Sequence, residues 1–352
     1  MRFSRLAPYI VPLLFAGATV AFLQAKCNGP SPPPAKQGHL RIATYNVEWM
    51  NEGISKEREA NLRSVIANVN PDILAMQEIQ SRKALGRLFG PDWKLAIADD
   101  LEEDQELALA VRKPFEIISY EVLFKSRNQD FAFPGRRNAL RVAVRTPAGE
   151  RLHFYVIHLK SRGGPGGRKG TDKQRIEAAQ MLLKEFDRRK AQNLVVLGDF
   201  NDTPDDASLN ILESANPRAV GKMTDSTGPF LHNLMQPLHA RDYITQGAPN
   251  RHRAFPEEPI IKGARRDNDK WRGKYYSFPN DLAVVEALFD QILVSSNMAR
   301  RRAGTARIYA GEDARRGMRS EASLNVSGTT SYDHQGSRAS DHLPVYADFK
   351  VR

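Results

Sequence analysis

Asp199 and Asn201 stand at the end of a short apolar stretch, Leu194 to Leu197, which is followed by Gly198. A run of aliphatic residues that ends in turn formers is typical of a buried strand, and Gly198 lets the backbone approach another group closely. Two residues apart on an extended chain, the carboxylate and the amide project to the same side and could hold one ligand or water molecule. The segment would equally suit an Asx-rich turn that only caps a strand.

Five more strand-like runs carry polar residues within them or at their ends. These residues are Asn46 and Glu48, Glu78, His158, Asp290, and Asp341 with His342. A charge in an otherwise apolar strand is costly unless it is paired or binds a metal. Runs that together supply carboxylates, amides and two histidines therefore predict one convergent site.

The elements that must position these residues are short strands interrupted by a few helices. Strands are predicted over 40–45, 72–76, 107–111, 140–145, 152–159, 194–197, 289–294 and 343–351. Helices are predicted over 56–67, over 81–88 and from Thr171 onwards, where Thr171 and Gln174 fit a capping box. Alternating strands and helices, with several direct strand-to-strand steps, indicate a mixed α/β fold of two packed sheets with helices outside.

The N-terminus has the pattern of a targeting segment. Arg2 and Arg5 precede a mostly apolar stretch, residues 6–25, with small residues at its end. We interpret residues 1–25 as a signal peptide or, alternatively, an uncleaved membrane anchor, so that the protein is expected to be exported to the periplasm or beyond the cell. Residues 26–38 form a Pro-rich linker, and one domain is predicted over 39–352.

Composition restricts the kinds of protein and of metal site. The chain has 352 residues, of which 41% are hydrophobic and 26% are charged, so it can bury a large core and is not disordered by composition. Cys27 is the single cysteine, which excludes an intrachain disulfide and a cysteine-rich zinc site. Lys26 stands where a lipoprotein signal needs a small residue, which argues against lipidation of Cys27.

The formal net charge of +11 favours an acidic partner. Three groups of basic residues would suit a polyanion, and solvated surface charge or attraction to anionic lipid are the alternatives. The groups are Arg136, Arg137, Arg141 and Arg145; Arg162, Arg168, Lys169, Lys173 and Arg175; and Lys262, Arg265, Arg266, Lys270, Arg272 and Lys274.

The segment 236–281 is rich in Pro, Gly, Arg and Asn and has little periodicity. It is a candidate substrate-binding surface, because aromatic rings interleaved with cations can stack bases and pair with phosphates. The rings could equally serve to fold the loop onto the body of the protein. They are Trp271, Tyr275, Tyr276 and Phe278.

The order of the motifs resembles the endonuclease/exonuclease/phosphatase superfamily. The most specific stretches are Gly198-Asp199-Phe200-Asn201 and the run from Ser340 to Val345, and the resemblance covers about residues 39–352. Within the superfamily, the run from His158 to Ser161, with the Gly/Arg loop after it, is most similar to bacterial secreted nucleases. The resemblance implies a four-layer sandwich, two packed mixed β-sheets flanked by helices, with the site at one edge.

The resemblance also assigns roles to the site residues. The implied metal ligands are Glu78, as the principal carboxylate, with Asn46, Glu48 and Asp341. An all-oxygen set of this kind suits Mg²⁺, with Mn²⁺ or Ca²⁺ as alternatives.

The implied catalytic set comprises His342, oriented by Asp290; His158, supported by Glu106; Asn201; and Asp199. Asn201 and His158 are expected to hold the phosphate. Either His342 or Asp199 would activate the attacking water.

The first functional hypothesis is an exported, metal-dependent nuclease of low sequence selectivity with DNA as the favoured substrate, since backbone contacts bind without reading bases. A lipid-headgroup phosphodiesterase of the sphingomyelinase kind, or a phosphatase, would use the same residues with a different rim. A non-enzymatic binding module is the third possibility. No obligate protein partner is inferred.

Overall fold

Two six-stranded sheets form the centre of the molecule. The computed structural model describes residues 38–99, 105–164, 166–190, 192–219, 230–241, 243–246, 287–311, 313–314 and 339–351. In the first sheet the strand order is β11-β12-β1-β2-β4-β3, with β1 His39–Met50, β2 Ile73–Ile79, β3 Trp93–Ile97, β4 Glu106–Arg112, β11 Arg307–Ile308 and β12 Val345–Lys350. In the second the order is β5-β6-β7-β8-β10-β9, with β5 Glu116–Leu123, β6 Ala139–Arg145, β7 Arg151–His158, β8 Leu194–Asp199, β9 Leu231–Asn233 and β10 Asp290–Ser295.

Each sheet has one parallel pair at its centre. Strands β1 and β2 are parallel, as are β7 and β8, and the remaining pairs are antiparallel. Between the sheets lies a core to which Ile42 and Leu109 contribute from one side and Phe154 and Val195 from the other. Because successive strand residues alternate in direction, the next residues along these strands face outwards to the helices. The central strands are thus buried on both faces, which is why they read as nearly continuous apolar runs.

Helices cover the outer faces and complete the four layers. The helices are α1 Lys56–Val69, α2 Arg82–Gly86, α3 Gly167–Arg189, α4 Ala207–Ser214, α5 Gln236–His239 and α6 Ser296–Ala299. Leu62 of α1 and Leu85 of α2 pack on the first sheet, and Leu182 of α3 and Leu209 of α4 pack on the second. The predicted α/β sandwich of two packed sheets flanked by helices is confirmed.

The predicted helices differ from the structure mainly at their ends. Helix α1 begins after Ser55, whose hydroxyl accepts the amide of Arg58 at 3.0 Å. Helix α3 begins at Gly167, four residues before the predicted start, so the capping box at Thr171 and Gln174 is wrong. The Thr171 hydroxyl instead donates to the carbonyl of Gly167 inside the helix, at 3.3 Å.

One group of cations predicted to meet a polyanion is partly internal. Arg175 is 0% exposed and forms ion pairs with Asp172 and Asp202, the latter at 2.7 Å. Arg162 is mostly buried and pairs with Asp206 at 2.6 Å. The interpretation of these two arginines as a polyanion-binding surface is therefore wrong, because a buried guanidinium needs its internal carboxylates.

Some predictions concern residues outside the described ranges. The leader 1–25, the Pro-rich linker before residue 38, the aromatic residues of 271–278 and the third basic group lie there. Within the described part, no helix combines the length and the apolar character that crossing a membrane requires.

Gly198 tests how tightly β8 is held against β7. Its φ is 141°, and a Cβ at this position would lie 2.0 Å from the carbonyl oxygen of Ile157. We expect Gly198→Ala to lower the free energy of unfolding by roughly 3 kcal/mol, because the strands must separate or strain. Urea unfolding measures the change, with Gly90→Ala, where a Cβ meets nothing within 4 Å, as the matched control. An equal effect of the two substitutions would contradict this account.

Candidate active site

The site lies where the parallel strand pairs of both sheets end. Asp199 closes β8, directly opposite His158 of β7 on one side and Asp290 of β10 on the other. Asn46 and Glu78 come from the ends of β1 and β2 in the first sheet. Because the carboxyl ends of parallel strands meet at one edge, the two sheets open a shared cleft of about 340 Å³ there.

Asn46 joins the two sheets by bonding to two carboxylates that line this cleft. Its Nδ2 donates to Oε1 of Glu78 at 3.0 Å and to Oδ2 of Asp199 at 3.2 Å. Its Oδ1 accepts the backbone amide of Glu48 at 2.9 Å, so this network fixes which end of the amide faces the carboxylates. In this orientation Asn46 offers the carboxylates a donor, and metal ligation by its oxygen stays a prediction.

His342 is held by the predicted carboxylate. Its Nδ1 lies 2.8 Å from Oδ2 of Asp290, and its Nε2 lies 3.8 Å from Oδ2 of Asp199. Burial lowers the pKa of His342, but the carboxylates of Asp290, Asp199 and Asp341 outweigh burial and raise it well above its usual value. The contact between Nδ1 and Asp290 thus fixes the orientation of the ring, with Nε2 turned towards Asp199.

The backbone around His342 is held by two hydroxyl groups. The Thr245 hydroxyl accepts the amide of Asp290 at 3.2 Å. The Ser340 hydroxyl accepts the amide of His342 at 3.1 Å and donates to the carbonyl of Asn46 at 2.7 Å. The contact between Ser340 and Asn46 ties the segment that carries His342 to β1.

Glu78, His158 and Asp199 could together hold a metal ion. One potential ligand atom from each lies within 4.8 Å of the other two. The Nε2 of His158 is 3.8 Å from Oε1 of Glu78 and 3.5 Å from Oδ2 of Asp199. Burial and the neighbouring Asp341 raise the pKa of Glu78, and burial raises that of Asp199. Such an excess of buried negative charge fits a site that a divalent cation would stabilise.

Glu48 and Asp341 lie in the same cleft as Glu78. The Asp341 amide donates to Oε2 of Glu48 at 3.0 Å, and Gln246 donates to Oδ2 of Asp341 at 3.3 Å. Three of the four predicted oxygen ligands, Glu48, Glu78 and Asp341, thus line one cleft, and Glu78 is common to this set and to the group with His158.

Asn201 and Glu106 differ in how they relate to the cleft. Asn201 lines it, and its backbone amide and side-chain nitrogen donate to the two oxygens of Asp199 at 2.8 and 3.2 Å. Glu106 is buried at the start of β4, while its neighbour Gln105 lines the cleft. The predicted contact between Glu106 and His158 is not formed through Nδ1, which has no hydrogen-bond partner in the described part of the chain.

Several site residues have left-handed backbones. The φ values are 48° for Glu48, 54° for Trp49, 63° for Glu78 and 50° for Asn201. The first three lie where the strand register shifts, between Asn46 and Met50 and between Met76 and Ile79. These irregularities re-aim the side chains towards the cleft, and a left-handed backbone at such residues stores strain.

Other cleft residues were not assigned to the site from the sequence. Besides Gln105 and Gln246 they are Trp49, Arg137 and Ser161. Nη1 of Arg137 lies 3.5 Å from Nε2 of His158. Burial, with the charges of Arg137, His342 and Lys160, lowers the pKa of His158 well below its usual value. The sequence signal for Arg137 was its place in a basic group just before a strand, which did not reveal that it faces the site.

The profile described as the Endonuclease/Exonuclease/phosphatase family matches residues 43–342. No match was found among curated protein sequences.

Three solved structures illustrate the likeness in fold. An endonuclease/exonuclease/phosphatase from Bacteroides vulgatus has 15% identity and a TM-score of 0.54, over 89% of this chain and 99% of that one. D. rerio TDP2 complexed with single strand DNA product has 16% identity and a TM-score of 0.51, over 88% and 98%. The human nocturnin catalytic domain with bound sulfate anion has 16% identity and a TM-score of 0.50, over 90% and 95%. Identities this low show a common fold alone, whereas the profile match extends over most of the sequence, so this chain belongs to the endonuclease/exonuclease/phosphatase family.

Proposed function

We propose that the protein is an exported, Mg²⁺-dependent phosphodiesterase that cleaves nucleic acid, with DNA as the favoured substrate. The observation that carries the proposal is the cleft itself. There the Asp290–His342 pair faces an acidic pocket, formed by Glu78, Asp199 and Asp341 with His158. Family membership supports a metal-dependent phosphoesterase or nuclease. The net charge of +11 supports a polyanionic substrate, and the apolar stretch 6–25 supports export.

The acidic pocket would hold the cation. Glu78 and Asp199 are the central ligands in this proposal, with His158 or Asp341 completing the set. Bound there, Mg²⁺ would neutralise charge on the non-bridging oxygens of the phosphate. Four carboxylates, those of Glu48, Glu78, Asp199 and Asp341, line this cleft and suit a hard divalent cation that prefers oxygen ligands.

The neighbouring polar residues would position the phosphate. Arg137 lines the cleft beside His158, and a guanidinium can pair with two phosphate oxygens at once. Asn201 also lines the cleft, and its backbone amide donates to Asp199. Together with His158, these side chains would orient the substrate without reading its bases.

Proton transfer at the reacting phosphate is assigned to His342. Asp199 already accepts hydrogen bonds from Asn46 and from two nitrogens of Asn201, which makes it an orienting group. Nε2 of His342 forms no hydrogen bond within the described ranges and points towards the cleft. Asp290 would hold the other ring nitrogen and stabilise the imidazolium.

The first test is the substrate and the metal requirement. We expect the full-length chain to convert supercoiled plasmid to nicked circles with Mg²⁺, and to lose this activity in EDTA until Mg²⁺ is restored in excess. Hydrolysis of sphingomyelin vesicles under the same conditions should be negligible. Vesicle hydrolysis without plasmid nicking would replace the nuclease proposal by the lipid-headgroup alternative.

The second test is the role of His342. We expect His342→Ala to lower kcat on plasmid by roughly 10³-fold, because general acid–base catalysis is lost, while oligonucleotide affinity stays near that of the parent. His232→Ala, at a half-buried histidine that contacts Ser296 at 3.1 Å, is the matched control and should keep full turnover. Near-normal kcat in His342→Ala would refute the assignment.

A further inference from the structure

Phe131 is an apolar ring displayed to solvent six residues before the cleft residue Arg137. Half of its surface, 50%, is exposed, which is more than for any other large apolar side chain in the described ranges. Burial of a phenylalanine side chain stabilises a fold, and an exposed ring does not contribute this free energy. A single exposed ring is common on protein surfaces, and its surroundings decide whether it has a role.

The turn that carries Phe131 is well ordered. Ser126 and Gln129 form a capping box, and the carbonyl of Gln129 accepts the amides of Ala132 and Phe133. The buried ring of Phe133 stacks on Phe124, with centroids 4.7 Å apart and planes 10° from parallel. The exposed ring is therefore presented on a rigid support.

Two connections lead from this turn to the cleft. Along the chain, Phe131 is six residues before Arg137, which lines the cleft, so the two Cα atoms are at most about 22 Å apart. Across the surface, Nε2 of Gln174 donates to the carbonyl of Phe131 at 2.9 Å. Gln174 belongs to α3, and the loop before α3 contains Ser161, another residue of the cleft wall.

The exposed charged residues on this turn and next to Gln174 are three cations and the carboxylate of Asp130. Lys125 and Arg127 are exposed on the same turn, and Lys173 is exposed next to Gln174. None of the three forms an ion pair with another residue in the part of the chain that the structure describes. A ring flanked by cations offers a base a stacking face and its phosphates a counter-charge, which is the combination found in single-strand binding sites.

We propose that Phe131, with Lys125, Arg127 and Lys173, forms a platform that binds single-stranded nucleic acid beside the scissile phosphate, with one base stacked on the ring. The platform rests on the proposed nuclease function and deepens it by naming a second contact for the substrate. A strand that starts at Arg137 reaches Phe131 within a few nucleotides. The enzyme is thereby expected to prefer single-stranded or frayed substrates.

The test compares Phe131→Ala with the parent on a single-stranded oligonucleotide. Loss of stacking should raise KM about tenfold and leave kcat unchanged. Hydrolysis of bis(4-nitrophenyl) phosphate, which is too short to reach from the cleft to the ring, should not change. Phe131→Trp should keep the parent KM. The matched control is Phe230→Ala, which removes a ring that is 40% exposed and directly precedes β9.

Binding separates this inference from the nuclease proposal. In EDTA, the affinity for a fluorescein-labelled oligonucleotide should fall about tenfold in Phe131→Ala, and an oligonucleotide of abasic nucleotides should bind parent and variant equally. If these changes occur without any cleavage by the parent, the platform stands and the nuclease proposal falls. The platform would be overturned if parent and Phe131→Ala bound the oligonucleotide with equal affinity, or if Phe230→Ala lost as much affinity as Phe131→Ala. It would also be overturned if Phe131→Ala weakened binding to phosphatidylglycerol vesicles but not to the oligonucleotide.

Discussion

The site depends on the two hydrogen bonds that the side-chain amide nitrogen of Asn46 donates. This nitrogen donates to Glu78 of the first sheet and to Asp199 of the second, so one group sets the distance between the carboxylates of the two sheets. Asn46 is fully buried, and a buried polar group is costly unless it is satisfied. The paired carboxylates satisfy it, which makes the position of each sheet edge part of the same hydrogen-bond network.

A buried arginine behind each sheet supports this edge. Arg58 of α1 donates to the carbonyls of Val47 and Glu48, and burial lowers its pKa to about 10. Arg175 of α3 donates to the carbonyl of Lys160 and pairs with Asp202 near the end of β8. Each of these two helices thus places one buried arginine against the backbone or carboxylates beside the candidate site residues. The helical layers do more than bury apolar surface, because they fix the loops that carry the site.

Much of the fold could be predicted because strand periodicity and burial are local properties of the sequence. The apolar runs that became β1, β2, β7, β8 and β10 are buried on both faces and therefore stand out. Strands β3 and β5 were missed, since they have exposed positions and weaker alternation, and the two-residue β11 gives no pattern at all. The start of α3 was missed because glycines, which are poor helix formers, occupy its first turn.

The convergence of Glu78, Asp199, Asp290 and His342 could be predicted for the same reason, since each terminates or interrupts an apolar run. The resemblance of the motifs then paired His342 with Asp290. Arg137 and Trp49 could not be assigned in this way, because their place in the cleft depends on how a turn and a strand bulge are oriented. Glu106, which the resemblance assigned to His158, is buried beside the cleft residue Gln105, but Nδ1 of His158 has no hydrogen-bond partner in the described part of the chain.

The left-handed backbones at Glu48, Trp49, Glu78 and Asn201 have a consequence for how this molecule can change over time. A glycine at these positions would relax the backbone, because glycine adopts a positive φ without a steric penalty. At Glu78 and Asn201 it would also remove the side chains that bond Asn46 and Asp199, so the relief of backbone strain and the hydrogen bonds of the site cannot both be had.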